Sequence, residues 1–302
     1  MNKRLIVRIS EGLGNQLFMY ANAYSLSKKI DYDLFVDNES SYTGKNIRSY
    51  LLNNFEISAN IATQDLKFNS FKKNFFRKIK IHVDKLKNNK EFLIEKKLLD
   101  KKTSYYDYLK NISFNDNLFL EGHFESEKYF LHERGNILNE FSLINHENFK
   151  KNIYLKNIQN ENIVSICIRQ NRYSERIGNY SDTSSIEKSK SFVKDTIDYI
   201  KKAESLIEKK VTNPKYYIWS DDFNNLREYF PENKYTFVIN NENKILNDFF
   251  LMQNCKYFIV GPTTFHWWGA WLSNFENKIC IRPKNLNPSN NTDFWPTTWI
   301  SI

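Results

Sequence analysis

Apolar residues recur along this chain as short unbroken runs, separated by stretches where they return every third or fourth position. That alternation predicts strands and helices in turn. The first run, Leu5 to Ile9, leads through Gly12-Leu13-Gly14-Asn15-Gln16 into a segment where Leu17, Ala21 and Tyr24 lie four and three apart, closed by Lys28 and Lys29. This reads as a strand followed by an amphipathic helix. A second short strand, Leu34 to Val36, ends on Asp37. From Asn162 onward apolar runs at Ile163–Ile168, Tyr216–Trp219, Tyr235–Val238, Tyr257–Val260 and Ile279–Ile281 alternate with helical stretches. The pattern predicts an α/β protein with a parallel sheet and crossover helices. The longest helix, about Ser189 to Lys210, carries Val193, Ile197, Ile200 and Ile207 on one face, and Asn213-Pro214 ends it.

Between Leu66 and Lys102 lysines crowd around Phe68, Phe71, Phe75, Ile79 and Leu86. Spacings of three and four predict a basic helical insert with one apolar stripe. The stripe either packs on the first domain, leaving a solvated basic face, or lies on an anionic membrane.

At 302 residues the chain is long enough for two domains. Lys and Arg outnumber Asp and Glu by 44 to 35, a net charge of +9, which favours an anionic partner without choosing among nucleic acid, a sugar nucleotide or an acidic membrane. Cys167, Cys255 and Cys280 lie in or beside apolar runs, as inert buried thiols do. An odd count without a CxxC pair argues against a disulfide scaffold and a zinc site. No run approaches the length of a membrane span, and the strand after Met1-Asn2-Lys3-Arg4 is too short for a signal-peptide core. A cytoplasmic protein is expected, or one peripheral to the inner face of the membrane.

The chemistry gathers where strands end. Gly12 and Gly14 let the backbone turn tightly at a helix N-terminus, where unpaired N–H groups favour a phosphate. They match two positions of a dinucleotide fingerprint, with Asp37 near the expected ribose-binding acid. Leu17 takes the place of the third glycine. A nicotinamide or flavin site and a ligand-free glycine turn both remain open at this point. In open sheets ligands bind beyond the carboxyl ends of strands, which singles out three further groups: Arg169 to Tyr173, Ser220-Asp221-Asp222, and Gly261 to Trp268. Arginine can grip a diphosphate, and Thr263 and Thr264 at a helix start can add hydroxyl and amide donors. Of Asp221 and Asp222, one is expected to cap the following helix and one to bind a base edge such as that of guanine. His266 is the histidine placed to touch a phosphate, with a hydrogen-bonded structural role as the competing reading. Trp267, Trp268 and Trp271 read as packing ahead of sugar stacking. Asp31-Tyr32-Asp33 has a metal-binding spacing but precedes its strand, so it reads as turn chemistry. No metal and no cofactor are expected.

Taken in order, these blocks resemble the bacterial α-1,2-fucosyltransferases of glycosyltransferase family 11. The resemblance rests on Gly12 to Phe18 with Tyr20-Ala21, Glu121 to Phe130, Ile218 to Asp222, Asp248 to Leu272 with Phe265-His266-Trp267-Trp268-Gly269-Ala270-Trp271-Leu272, and Ile281 to Ile300. It covers nearly the whole chain. It implies a GT-B fold of two Rossmann-like domains facing across a cleft, 1–158 on the acceptor side and 159–302 binding a GDP-sugar. The implied reaction is metal-independent, inverting transfer of L-fucose from GDP-β-L-fucose to a sugar hydroxyl. The 2-hydroxyl of a galactose-type residue in an O-antigen or capsule precursor, free or lipid-linked, is the expected acceptor.

The implied donor contacts are Gly12, Gly14, Asn15, Gln16, Arg169, Arg172, Ser220, Asp221, Asp222, Thr263, Thr264, Phe265 and His266, with Glu125 and Trp267 on the acceptor side. Where the family's donor motif usually reads His-x-Arg-Arg-x-Asp, this chain has Cys167-Ile168-Arg169-Gln170-Asn171-Arg172. Arg169 therefore inherits stabilisation of the leaving phosphate alone, with Arg172 reaching from a different direction. Glu11, Glu125, Glu175 and Asp182 are candidate general bases, Glu175 foremost. Three alternatives accompany this reading: another GDP-deoxyhexose donor, a nicotinamide oxidoreductase, and a non-catalytic anion or carbohydrate binder. Dispersed charge and the lack of an RNA-binding motif speak against a nucleic-acid partner.

Overall fold

A computed structural model describes residues 3–42, 48–95, 109, 112–175 and 182–302. The chain divides into two units, Met1–Ile144 and Asn145–Ile302. This division falls before the 158/159 boundary read from the sequence, and side-chain bonds explain why. Asn152 Nδ2 donates to Asn240 Oδ1 (2.7 Å) and Asn157 Nδ2 to the Tyr217 hydroxyl (3.1 Å), so this stretch belongs with the second sheet.

The first unit runs β1 (Arg4–Arg8), α1 (Leu13–Ile30), β2 (Asp33–Asp37), β3 (Asn60–Ile61), α2 (Phe71–Asp84), β4 (Asn89–Ile94), β5 (Ser113–Glu121) and α3 (Arg134–Glu140). Its strands form a parallel sheet in the order β3-β2-β1-β5-β4. Leu5, Ile6 and Val7 are all buried because β1 is central and covered on both faces. Helix α1 departs from the amphipathic expectation: Leu13, Gly14 and everything from Gln16 to Ser27 is buried, and only Asn15 in the first turn and the C-terminal end reach solvent. Asp31 follows in the left-handed region (φ 58°), which confirms a turn for Asp31-Tyr32-Asp33.

Two corrections concern residues 66–102. Part of the stretch is strand β4, which pairs with β5 and belongs to the sheet; residues 96–102 lie outside the described residues. Helix α2 also faces the opposite way from a packed stripe. Its inward side carries Ile81, packed on the core, and two polar anchors: Arg77 Nη1 donates to both Glu121 carboxylate oxygens (2.5 and 2.6 Å), and Asp84 accepts the Glu91 and Phe92 amides (2.7 and 3.3 Å). Phe71, Phe75, Phe76, Ile79 and Val83 are exposed, while Phe68, which precedes the helix, joins the core beside Phe92 and Phe119.

The second unit runs α4 (Leu155–Asn160), β6 (Ile163–Ile168), α5 (Thr183–Lys210), β7 (Lys215–Ser220), α6 (Leu226–Tyr229), β8 (Tyr235–Phe237), α7 (Lys244–Gln253), β9 (Tyr257–Ile259), α8 (Thr264–Leu272), β10 (Ile279–Arg282) and β11 (Ile300–Ser301). All pairings are parallel, in the order β11-β10-β9-β6-β7-β8. Every residue of β6 is buried. Val164, Ile166 and Ile168 join the α5 residues Ile197, Ile200 and Ile207 in one core. Ser165 on the opposite face meets α8. The three cysteines are buried and free, as expected. No helix among the described residues is long and apolar enough to cross a membrane.

Candidate functional site

In the second unit the chain winds outward from β6 through β7 and β8, then returns to β6's other side as β9. Such a reversal leaves a crevice at the carboxyl ends of the two strands that flank it. Three loops reach this end of the sheet: 169–175 after β6, 221–225 after β7, and 260–263 after β9.

Arg169, the first residue past β6, is held by acids. Its Nη2 bonds Glu175 Oε2, and its Nε lies 4.0 Å from Asp221 Oδ2. That Nε is buried and has no hydrogen-bond partner among the described residues. Glu175 therefore grips the guanidinium, a nearer task than that of a general base. Asp221 accepts the Gln170 and Asn171 amides on its two oxygens (2.7 and 3.1 Å), while Asp222 Oδ1 accepts the Asn224 amide (2.9 Å). Neither aspartate caps the following helix, whose N-cap is Asn225 with no side-chain bond: Asp222 closes a local turn, and Asp221 clamps the arginine loop.

Gln170, where the family motif has arginine, donates its side-chain amide to the Asp222 and Asn224 carbonyls (2.7 and 2.8 Å). It ties the loops after β6 and β7 together, a role the sequence did not reveal. Arg172 is also engaged in structure, bonding the Pro262 and Pro288 carbonyls (3.4 and 2.6 Å) with its guanidinium 5.0 Å from the Phe192 ring centroid. This corrects its reading as a donor ligand: it fastens the loop to the β9 side. Ser220 is buried and its hydroxyl bonds the Asp222 carbonyl, so it too shapes the loop.

Past β9, Gly261 lies so close to β6 that a Cβ there would stand 1.9 Å from the Cys167 carbonyl oxygen. Only glycine fits. Thr263 then caps α8, its Oγ1 accepting the His266 amide (3.1 Å). Thr264 and Phe265, half-buried, form the open first turn. His266 corrects the phosphate reading. Its ring is wholly buried; Nδ1 accepts the Gly261 amide (2.9 Å) and Nε2 pairs with the Ser165 hydroxyl (2.9 Å). Since Nδ1 accepts, the neutral ring carries its proton on Nε2 and donates it to Ser165. Burial pushes the imidazole down to about 3. The signal for this role was Ser165 itself, a lone hydroxyl inside an apolar strand.

Trp267 is likewise corrected. It is fully buried, its Nε1 donates to the Phe294 carbonyl (2.9 Å), and its ring stacks on Trp271 at 6.0 Å. Neither face is offered to an acceptor. On α7, which packs against α8, Asp248 is buried and accepts from Asn240 Nδ2 (2.7 Å), and burial raises its carboxyl to about 6.

The first unit has its own reversal, between β1 and β5. Gly12 caps α1, its carbonyl accepting the Asn15 and Gln16 amides (3.0 and 3.1 Å). Asn15 is half-buried at this turn, whereas Gly14 is buried within the helix. Gln16 is not a ligand group here. Its side chain donates to the Glu11 and Ser49 carbonyls (2.9 and 2.8 Å) and accepts the Leu51 amide (2.9 Å), pinning the segment at 49–51 to the turn. Just past β4, buried Glu95 accepts the His123 amide from the loop after β5 (2.7 Å), and burial raises its carboxyl above the usual range. A Cβ on Gly122 would stand 2.3 Å from Glu95 Cβ. Glu125 is half-buried on the same loop.

Among the other base candidates, Asp182 caps α5, accepting from the Ser185 hydroxyl (2.6 Å) and the Ser184 amide, and the Ser185 bond foremost lowers its carboxyl. That makes it a weaker base. Glu11 is exposed on a left-handed residue (φ 63°).

The chain is similar to known proteins along nearly its whole length. The model of glycosyl transferase family 11 matches residues 2–302. An O-antigen biosynthesis glycosyltransferase, WbnK of Escherichia coli, is 29% identical over 97% of this chain and 99% of its own. An α-1,2-colitosyltransferase of Escherichia coli is 25% identical over 99% and 98%. In fold the chain is similar to fucosyltransferase NodZ from Bradyrhizobium, with a TM-score of 0.52 at 13% identity, covering 89% of this chain and 92% of that one. The NodZ α-1,6-fucosyltransferase has also been co-crystallised with GDP, and that structure matches with a TM-score of 0.51. The α/β, GT-B class implied by the sequence resemblance is therefore the fold class.

Proposed function

Because the chain belongs to glycosyl transferase family 11 and is a glycosyltransferase, we propose that it transfers L-fucose from GDP-β-L-fucose to a sugar hydroxyl in O-antigen or a related surface polysaccharide, in α-1,2 linkage. The observation that carries the donor half is the meeting of Arg169, the Asp221 clamp and the open first turn of α8 at one strand-reversal point. Similarity in fold to a structure co-crystallised with GDP supports a guanosine diphosphate donor. WbnK lends support to the pathway. The oxidoreductase and non-catalytic readings give way to the family.

In the reaction proposed, the acceptor oxygen displaces GDP from the anomeric carbon with inversion. Positive charge grows on the sugar ring and negative charge on the departing diphosphate. The Arg169 guanidinium and the α8 first-turn amides are poised for the negative charge, preorganised so that little rearrangement is needed as it develops. Glu175 positions Arg169 before the donor arrives. For the acceptor proton the proposed base is Glu125, half-buried on the loop after β5; Glu175 and Asp182 are held by other side chains, and Glu11 is exposed. With charge supplied by the guanidinium and amides, transfer is proposed to need no metal.

A second donor is favoured by two observations: the colitosyltransferase relative, and Gln170 in place of the motif's second arginine. Colitose is a dideoxyhexose. GDP release measured with GDP-fucose and with a GDP-dideoxyhexose, each with and without EDTA, tests both points. Turnover of GDP-fucose unaffected by EDTA is expected. Turnover of the dideoxy donor alone would replace the first reading with the second, and loss of activity in EDTA restored by a divalent cation would refute metal independence.

A further inference from the structure

We infer that helix α2 docks the first unit onto an anionic lipid surface through its outward apolar face. Around a helix at about 100° per residue, Phe71, Phe75, Phe76, Ile79 and Val83 fall within one continuous arc. All five are exposed, Phe71 at 90%, and Leu86 just past the last turn is 89% exposed. A patch of six large apolar side chains on one short element is far from the scattered exposure of an ordinary surface. The inward face already has its partners, in the Arg77–Glu121 and Asp84 contacts, so the helix cannot bury its apolar side by rolling over without breaking them.

Charge identifies the occupant. From Phe71 to Leu86 the chain has five lysines and one acid, Asp84, and that acid is buried on the inward face. Lys80 pairs with Glu91 (2.9 Å). Lys72, Lys78 and Lys85 are exposed with no ion-pair partner among the described residues. Lys78 and Lys85 border the apolar arc on one side, Lys80 on the other, and Lys72 lies within it. Phenylalanine, isoleucine and leucine flanked by lysines form the surface that enters the headgroup boundary and attracts acidic lipids. A second copy of this chain would bring like charges together at the same face.

Arg77 joins α2 to Glu121 at the carboxyl end of β5, so docking brings that edge of the first sheet, with the loops after β1 and β5, toward the lipid. Delivery of a lipid-borne acceptor to that edge rests on the function proposed above; docking itself does not, and its test needs no turnover.

The test is co-sedimentation of the full chain with vesicles of phosphatidylglycerol and phosphatidylcholine, and with vesicles of phosphatidylcholine alone. The wild type is expected to pellet with the anionic vesicles only, less so as salt is raised. A Phe71→Ser/Phe75→Ser/Ile79→Ser variant is expected to stay in the supernatant with an unchanged thermal transition, since none of the three is in the core. Each of Lys72→Gln, Lys78→Gln and Lys85→Gln is expected to weaken partition by about fivefold. Absence of wild-type binding to anionic vesicles, equal binding by the serine variant, or a wild-type dimer that the serine variant dissociates would each overturn the inference.

Discussion

Asp248→Asn is expected to stabilise the second unit, increasingly so as pH rises. In the fold this carboxyl lies between α7 and its surroundings with Asn240 as its hydrogen-bond donor, and burial holds it at about 6 against an ordinary 3.8. Below about pH 4 both folded and unfolded chains keep the proton. Between about 4 and 6 the unfolded chain releases it first, so the folded state binds more protons and stability falls as pH rises. The deficit is complete above about 6, at roughly 3 kcal/mol, with about half of it present at pH 5. Asparagine can still accept from Asn240 and carries no charge to bury, so the variant escapes this cost. The raw pH profile would not isolate the effect: His266, held down to about 3, acts in the opposite sense, because the unfolded chain takes up a proton below about 6.5 that the folded chain refuses. That contribution is common to both proteins and cancels in their difference. Urea unfolding of wild type and variant, followed through the second unit's transition at about pH 5 and about pH 8, checks the reasoning. A stability gap that does not widen between the two would refute it.

Three further outcomes follow from the site. Arg169→Ala should lower donor turnover by about 10²- to 10³-fold with an unchanged melting transition, and Arg169→Lys should restore only part of it, because an ammonium cannot reproduce the guanidinium fork; steady-state GDP release checks both. Gly261→Ala should cost about 4 kcal/mol or more, since its Cβ would strike the Cys167 carbonyl and force β9 away from β6, an effect visible as insoluble or unfolded protein. Gln16→Leu should destabilise the first unit by about 3 kcal/mol, as three hydrogen bonds to backbone groups are lost, measurable by denaturant unfolding.

Strands and their carboxyl ends are legible in the chain because a buried parallel strand is an unbroken apolar run. Ile163–Ile168 is found with its ends in place, and Arg169, Asp221 and Thr263 follow from it. What periodicity cannot supply is direction. It marks an apolar stripe on α2 but not which way the stripe points, and there the ion pair of Arg77 with Glu121, distant in sequence, decides. Polar side chains at loop ends are ambiguous for a related reason: a ligand and a backbone amide make the same demands on a glutamine or an arginine. Gln16, Gln170 and Arg172 all prove to hold backbone, because the partners that occupy them come from other loops. His266 misleads by its position beside the threonines, since one turn of helix carries its ring from the crevice into the sheet.

The central claim is that the second unit holds a GDP-sugar where β6 and β9 part. A crystal structure with GDP tests it most directly. The diphosphate is predicted within hydrogen-bond distance of the Arg169 guanidinium and the Thr264 and Phe265 amides, with Arg169 drawn away from Glu175. A diphosphate bound elsewhere, with the Arg169–Glu175 pair intact, would contradict the claim.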